Sequence, residues 1–356
     1  MNDQVHNTDA HRLRNFAAQA LEQAGISHEG AEIVADCMVE ADLRGRDTHG
    51  VVRLAPYIRM IREGNMNPRP RLSVIRETPV SAIIDADNSV GNLASHAAAE
   101  MAIGKAKSAG VGMVGVRNST HNGELAYYPM MALKHDMISL MTTNAPPQIP
   151  AYGGISRVLS TNPFAAAVPA GEELPVVLDM ATTLVAGGKV RLSGALGKKI
   201  PLGWGFDRNG EPTDDPNAVL KEGGFLAWLG GAKGYSLSVF ANILAGVLTG
   251  GPFNRKTFGD YSSAEYGSQM VREGHFIMVL NIDNFMPVAE FKSRMDDMIR
   301  DFRASEPAKG FERVYLPGEP EFKCKSQRLK TGIPISHTVW KQMIEMKEKL
   351  GLASFE

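Results

Sequence analysis

At 356 residues the chain is long enough for two domains and a substantial buried core. Its 38 basic and 39 acidic residues leave a net charge of −1, which gives no field for nucleic acid or an anionic membrane and makes a small molecule the better partner. Only Cys37 and Cys324 are present, giving no disulfide framework, and no stretch has signal-peptide or membrane-span character, so a cytoplasmic protein is expected.

In chain order, apolar residues first recur at three- and four-residue spacing in "AHRLRNFAAQALEQAG", "EGAEIVADCMVEADLRG" and "LAPYIRMIREG", which predicts helices up to about Gly64. From about Leu72, short β-rich runs take over: "VSAIIDA", "GMVGVRN", "MISLMTTN", "FAAAVPA" and "LPVVLDMAT", separated by glycine and proline turns. Helical spacing returns in "PVAEFKSRMDDMIRDFRA" and "SHTVWKQMIEMKEKLG". The expected organisation is a helical domain from both chain ends, residues 1–72 and 287–356, around a central α/β domain, residues 73–286.

Within "RGRDTHGVVRL", Asp47 or Thr48 can cap a helix whose first turn holds His49, where the positive helix end favours a neutral imidazole. Arg53, four residues on, would share that face. Pro56 supports a competing arrangement, in which the helix starts near the proline and "HGVVR" is a turn. On the residues alone, a capping histidine and a surface arginine are the plainer reading.

Gly110, Gly112 and Gly115 spell G-x-G-x-x-G, but the dinucleotide fingerprint needs a strand running in and a helix running out. Here an alanine-rich helix precedes Gly110 and an apolar strand follows, so these glycines are not expected to hold a cofactor. In "RNSTHNGELAYYPMMALKHDM", Ser119 or Thr120 can cap a helix, placing His121, Asn122 and Gly123 near free N–H groups that suit a diphosphate. An ordinary helix start with a satisfied histidine is equally open.

Further on, Thr161, Asn162 and Pro163 form a turn whose polar groups can bond an amide or ribose. Asp179 closes an apolar run, either as a turn residue or as a carboxylate that orients His49. In "LGGAKGYSL", Gly230, Gly231 and Gly234 let backbone approach a ligand while Lys233 adds one charge, without nucleoside-triphosphate spacing. The nine histidines lack HxxxH and HxH spacing, so no metal is expected, and G-x-S-x-G is absent.

Taken in order, "DTHGVVRL", "NSTHNGELAYY", "STNPFAAAVP", "LDMATT", "GWGFDRNGEPTDDP", "GGAKGYSL" and "NIDNF" resemble the type-2 malate/L-lactate dehydrogenase family over nearly the whole chain. That family also includes ureidoglycolate and sulfolactate dehydrogenases, diketogulonate reductases and cyclic-imine reductases. The resemblance implies an α+β fold: a non-Rossmann NAD(P)-binding domain on a largely antiparallel sheet, a helical domain from both termini, and a homodimer. It implies that His49 exchanges a proton with the substrate, that Thr48 and Asp179 are its relay partners, and that Arg53 receives a carboxylate. His121 would lie between substrate and nicotinamide. Cofactor contacts are implied for His121, Asn122, Gly123, Glu124 and Leu125, for Thr161, Asn162 and Pro163, for Lys233 and Gly234, and for Asn281, Asp283, Asn284 and Phe285. Thr48 stands where many members have serine. The implied reaction is hydride transfer between NAD or NADP, with NAD slightly favoured, and a 2-hydroxy acid or its 2-oxo acid. Reduction of a cyclic imine carboxylate and non-catalytic nucleotide binding are the alternatives.

Overall fold

Alanines at 94, 98, 102 and 106 give the helix Gly91–Ala109 a flat, fully buried face that allows close approach of a strand. That helix stops at Gly110, whose φ of 83° is in the left-handed region, and the strand Val111–Ser119 follows. A Cβ on Gly112 would stand 2.0 Å from the Ala102 carbonyl oxygen, and one on Gly115 would stand 2.8 Å from Ile83 Cδ1. The fingerprint glycines therefore serve the close approach of helix and neighbouring strand, and the element order is helix then strand, as expected.

The computed structural model describes residues 5–257, 272–352 and 354–355. Its central sheet has seven strands in the spatial order Ser73–Glu77, Ser81–Asp85, Val111–Ser119, Glu273–Asn281, Met137–Thr143, Phe164–Val168 and Val176–Met180. Every neighbouring pair is antiparallel except Ser81–Asp85 with Val111–Ser119, which the helix Gly91–Ala109 joins as a parallel crossover. The fold is thus the mixed α+β, largely antiparallel arrangement that the resemblance implies.

The helices Ala10–Gln23 and His28–Leu43 begin at Asp9 and Ser27, whose side chains accept backbone N–H groups of the first turn. Their apolar faces, with Tyr57 and Met60 of the helix Leu54–Arg62, merge in one cluster with Ile333, Ile335, Met343 and Phe355 from the other chain end. Strands Val5–Thr8 and Ile333–Ser336 pair antiparallel beside it. Helix Val288–Ala304 packs elsewhere, setting Met295 and Ile299 against Val168 and Val176 at the sheet's last two strands. Among the described residues, no helix is long and apolar enough to cross a membrane.

Candidate active site

The segment carrying His49 is a turn held from beneath. Helix His28–Leu43 ends at Arg44, the His49 N–H donates to the Arg46 carbonyl (2.8 Å), and a single 3₁₀ turn, Val51–Arg53, leads into the helix Leu54–Arg62. Pro56 sits in the first turn of that helix, where a missing N–H costs nothing. His49 therefore precedes the helix, and the expectation that it lies in a capped first turn is corrected in favour of the competing arrangement. The physical reason is Asp42, a buried carboxylate that accepts the Val51 N–H (2.9 Å) and leaves no room beside Gly50, where a Cβ would stand 1.8 Å from Asp42 Oδ1. Burial pushes the Asp42 carboxyl well above the usual carboxylate range.

His49 Nδ1 lies 2.9 Å from Thr48 Oγ1, and Nε2 makes no hydrogen bond among the described residues. The ring is held neutral by desolvation first, then by the charges of Arg53 and Arg46, which together push its pKa down to about 3. Desolvation and two cations thus replace the helix end as the cause of neutrality. Arg53 Nε donates to the Thr48 carbonyl (2.8 Å), so the guanidinium is anchored to the turn that presents His49.

His121 stacks on His49 with ring centroids 5.7 Å apart and planes at 16°. Tyr57 Oη lies 2.6 Å from His121 Nδ1 and 3.1 Å from the His121 carbonyl, while the Gly123 N–H donates to Nδ1 at 3.3 Å. A ring nitrogen that accepts a backbone N–H carries no proton of its own, so the neutral His121 bears its hydrogen on Nε2. Burial, then Arg53 and His49, hold His121 well below its ordinary pKa.

Two residues of the strand Glu273–Asn281 lie close by. His275 is fully buried, with Nε2 2.8 Å from Ser119 Oγ and Nδ1 2.8 Å from Thr143 Oγ1, and burial pushes its pKa down to about 3. Burial drives the Glu273 carboxyl upward, opposed by the charge of Arg53. Arg53 is thus close enough to influence His49, His121 and Glu273 together.

The loop after Ser119 departs from its expectation. Ser119 pairs with His275, and the Thr120 hydroxyl accepts the Gly91 N–H (3.1 Å) and donates to the Ser89 carbonyl (2.9 Å). Neither residue caps a following helix, which begins only at Tyr127. The Ala126 N–H at that helix start donates to Asp179 Oδ2 (2.9 Å), so a carboxylate already stands where a diphosphate was expected. Asp179 bonds this loop and not His49.

Asn122, Glu124 and Leu125 are committed to the interior. Asn122 Nδ2 donates to Ser95 Oγ (3.0 Å), Leu125 is core, and Glu124 accepts from Arg44 Nε (3.0 Å) with both side chains almost wholly buried. Burial outweighs that arginine and pushes Glu124 up to about 7.

The later motifs are laced together. Thr182 donates through its N–H (2.9 Å) and hydroxyl (2.7 Å) to the Thr161 carbonyl, Asn162 Nδ2 donates to the Ser238 carbonyl (3.0 Å), and the Pro163 carbonyl accepts from Thr142 (2.8 Å). Gly234 is wedged so that a Cβ would stand 2.5 Å from the Thr182 carbonyl oxygen, and Lys233 is exposed beside it. Asn281, Asp283, Asn284 and Phe285 are not brought to this group. They cap the far end of the strand that begins at Glu273, roughly 27 Å away at about 3.4 Å per residue.

Sequence reasoning missed Asp42, Tyr57, Glu273, His275 and Gly188, where a Cβ would stand 3.1 Å from Thr48 Cγ2. Three left a signal: Tyr57 lies four residues beyond Arg53, and Glu273 with His275 show the two-residue period of one strand face.

Residues 8–344 match the family model described as malate/L-lactate dehydrogenase. The malate dehydrogenase of Pyrococcus horikoshii is 40% identical over 347 residues, covering 96% of this chain and 94% of that protein. The ureidoglycolate dehydrogenase (NAD(+)) of Escherichia coli O157:H7 is 33% identical over 332 residues, 93% of each. Among solved structures, the sulfolactate dehydrogenase from Methanocaldococcus jannaschii matches with a TM-score of 0.90 at 34% identity, covering 98% of both chains.

Proposed function

Because the chain belongs to the malate/L-lactate dehydrogenase family, we propose that it is a cytoplasmic, nicotinamide-dependent dehydrogenase interconverting a small 2-hydroxy acid and its 2-oxo acid, with His49 as the proton-exchanging group. One observation carries this reading: a neutral imidazole has its Nε2 without a hydrogen bond among the described residues, beside an arginine anchored to the same turn.

Arg53 receives the substrate carboxylate. A guanidinium offers a planar, two-pronged set of donors that a lysine ammonium lacks. That binding also changes His49, because the carboxylate offsets the Arg53 charge that helps hold its pKa down. His49 then becomes a better base as the substrate hydroxyl arrives. The Thr48 hydroxyl can accept from Nδ1–H or donate to a bare Nδ1, so it supports whichever tautomer leaves Nε2 ready to take or give a proton. His121, stacked on the His49 ring, is held in place through Nδ1 by Tyr57 and the Gly123 N–H and forms one wall of the same site.

For the cofactor, Asn162 supports the fit: its Oδ1 is buried without a hydrogen-bond partner among the described residues, the kind of atom that a bound polar ligand satisfies. Asn162, Thr161, Lys233 and Gly234 would hold the nicotinamide nucleotide, which when bound supplies the hydride acceptor or donor. The NAD(+) in the name of the ureidoglycolate relative supports NAD over NADP. Leu237, Phe240, Val247 and Leu248, 41–56% exposed along one helical stretch, support a homodimer in which a second copy covers them.

The test is turnover of malate, lactate, sulfolactate, ureidoglycolate and cyclic imine carboxylates with NAD and with NADP, followed by nicotinamide absorbance. Oxidation of at least one 2-hydroxy acid is expected. Turnover of the imines alone, or saturable cofactor binding with no turnover at all, would overturn the proposal.

A further inference from the structure

The helix Glu319–Thr331 presents Glu321, Lys325 and Arg328 at i, i+4 and i+7, a single face, and that face runs along residues 40–47. Lys325 Nζ reaches both carboxylate oxygens of Glu40 (2.7 and 2.6 Å), and Glu321 accepts from Arg46 Nη2 (2.7 Å). Arg328 Nη1 donates to the Asp42 carbonyl and to the Asp47 carboxylate. Between them, Gly45 passes so close that a Cβ would stand 3.1 Å from Cys324 Sγ.

Arg328 is where this face meets the chemistry. Asp47 begins the arm of the turn that leads into His49, while Asp42 holds the arm that leaves it, through the Val51 N–H. One guanidinium therefore binds both anchors of the His49 turn, from a helix 281 residues further along the chain. An ion pair with Asp47, whose side chain is 55% exposed, contributes little to stability, so its value lies elsewhere. Placement of a reacting group is far more sensitive: an error of about 1 Å can cost roughly 10²-fold in rate.

We propose that Arg328 is a positioning residue for His49, setting where its imidazole stands by clamping Asp47 and the Asp42 carbonyl. This rests on His49 being the proton-exchanging group. Arg328→Met keeps an unbranched apolar stem and removes both bonds. It is expected to lower kcat on the order of tenfold to a hundredfold, to enlarge the solvent deuterium isotope effect on kcat, and to leave the melting temperature and cofactor affinity nearly unchanged. Arg328→Lys, able to reach one acceptor at a time, should recover part of the rate.

In an H49N background, Arg328→Met should cost nothing further, because it acts through the missing ring. Wild-type kcat in Arg328→Met, or losses that add in the double variant, would overturn the proposal. Full activity of H49N alone would instead remove the catalytic reading beneath it. Where Arg328→Met does not fold, Asp47→Asn carries the same test at an exposed residue, with a smaller loss in the same direction.

Discussion

His49 and His275 are pushed to the same low basicity, about 3 in each case, yet their surroundings differ in kind. His275 is sealed: a hydroxyl stands at each ring nitrogen, from Ser119 on one strand and Thr143 on another, and no part of the ring is exposed. His49 sits on a turn to which Arg53 is anchored, has Thr48 as its partner at Nδ1, and makes no hydrogen bond through Nε2 among the described residues. A depressed pKa is thus produced equally well by a structural histidine and by one ready for chemistry. What separates them is an unspent nitrogen with a neighbouring charge that a ligand can neutralise.

The largest effect should come from removing that open nitrogen. His49→Asn is expected to lower kcat/KM by roughly 10² to 10⁴, the range for loss of a general acid–base group, with folding retained. His275→Gln, which can still bond both hydroxyls, should keep kcat within a few-fold of wild type. Steady-state kinetics on the two variants decide the matter, and equal losses would erase the distinction between the two regions.

Next in size is Arg53→Lys. Charge survives, but the two-pronged grip does not, and loss of a charged hydrogen bond worth about 1.5–3 kcal/mol corresponds to roughly a ten- to hundredfold rise in KM for the hydroxy acid. An unchanged KM would place the carboxylate elsewhere.

Much of the framework was legible because its signals are local. The strands Val111–Ser119, Met137–Thr143 and Val176–Met180 sit where short apolar runs predicted them, and the order of helix, Gly110 and strand disposed of the dinucleotide fingerprint. His49, Arg53 and His121 were recognisable as a group only through the ordered motifs, since composition alone favoured plainer roles. What stayed hidden depends on contacts between distant residues: Tyr57 with His121 across 64 positions, Ser119 with His275 across 156, Asp47 with Arg328 across 281. No spacing rule spans such separations. The helix expected after Thr120 failed for the same reason, because Ser89 and Gly91 claim that hydroxyl.

The smallest effect is the most specific to His275. Its pKa in the folded chain, about 3, lies below the value near 6.5 that it takes once unfolded. Above pH 6.5 both states leave the ring neutral and the histidine adds no pH dependence. As pH falls from 6.5 toward 3, the unfolded chain takes up a proton that the folded one refuses, so stability is lost by up to about 1.4 kcal/mol per pH unit. Glutamine cannot titrate, so His275→Gln removes this loss while the other buried groups of the site contribute alike to both proteins. At pH 7 the variant should be the less stable, by the quality of two hydrogen bonds. Between pH 7 and pH 5 its deficit should shrink by about 2 kcal/mol in urea unfolding. A deficit that stays constant over that interval would mean the folded ring takes up a proton as readily as the unfolded one, and the sealed region would then differ from His49 in basicity as well as in access.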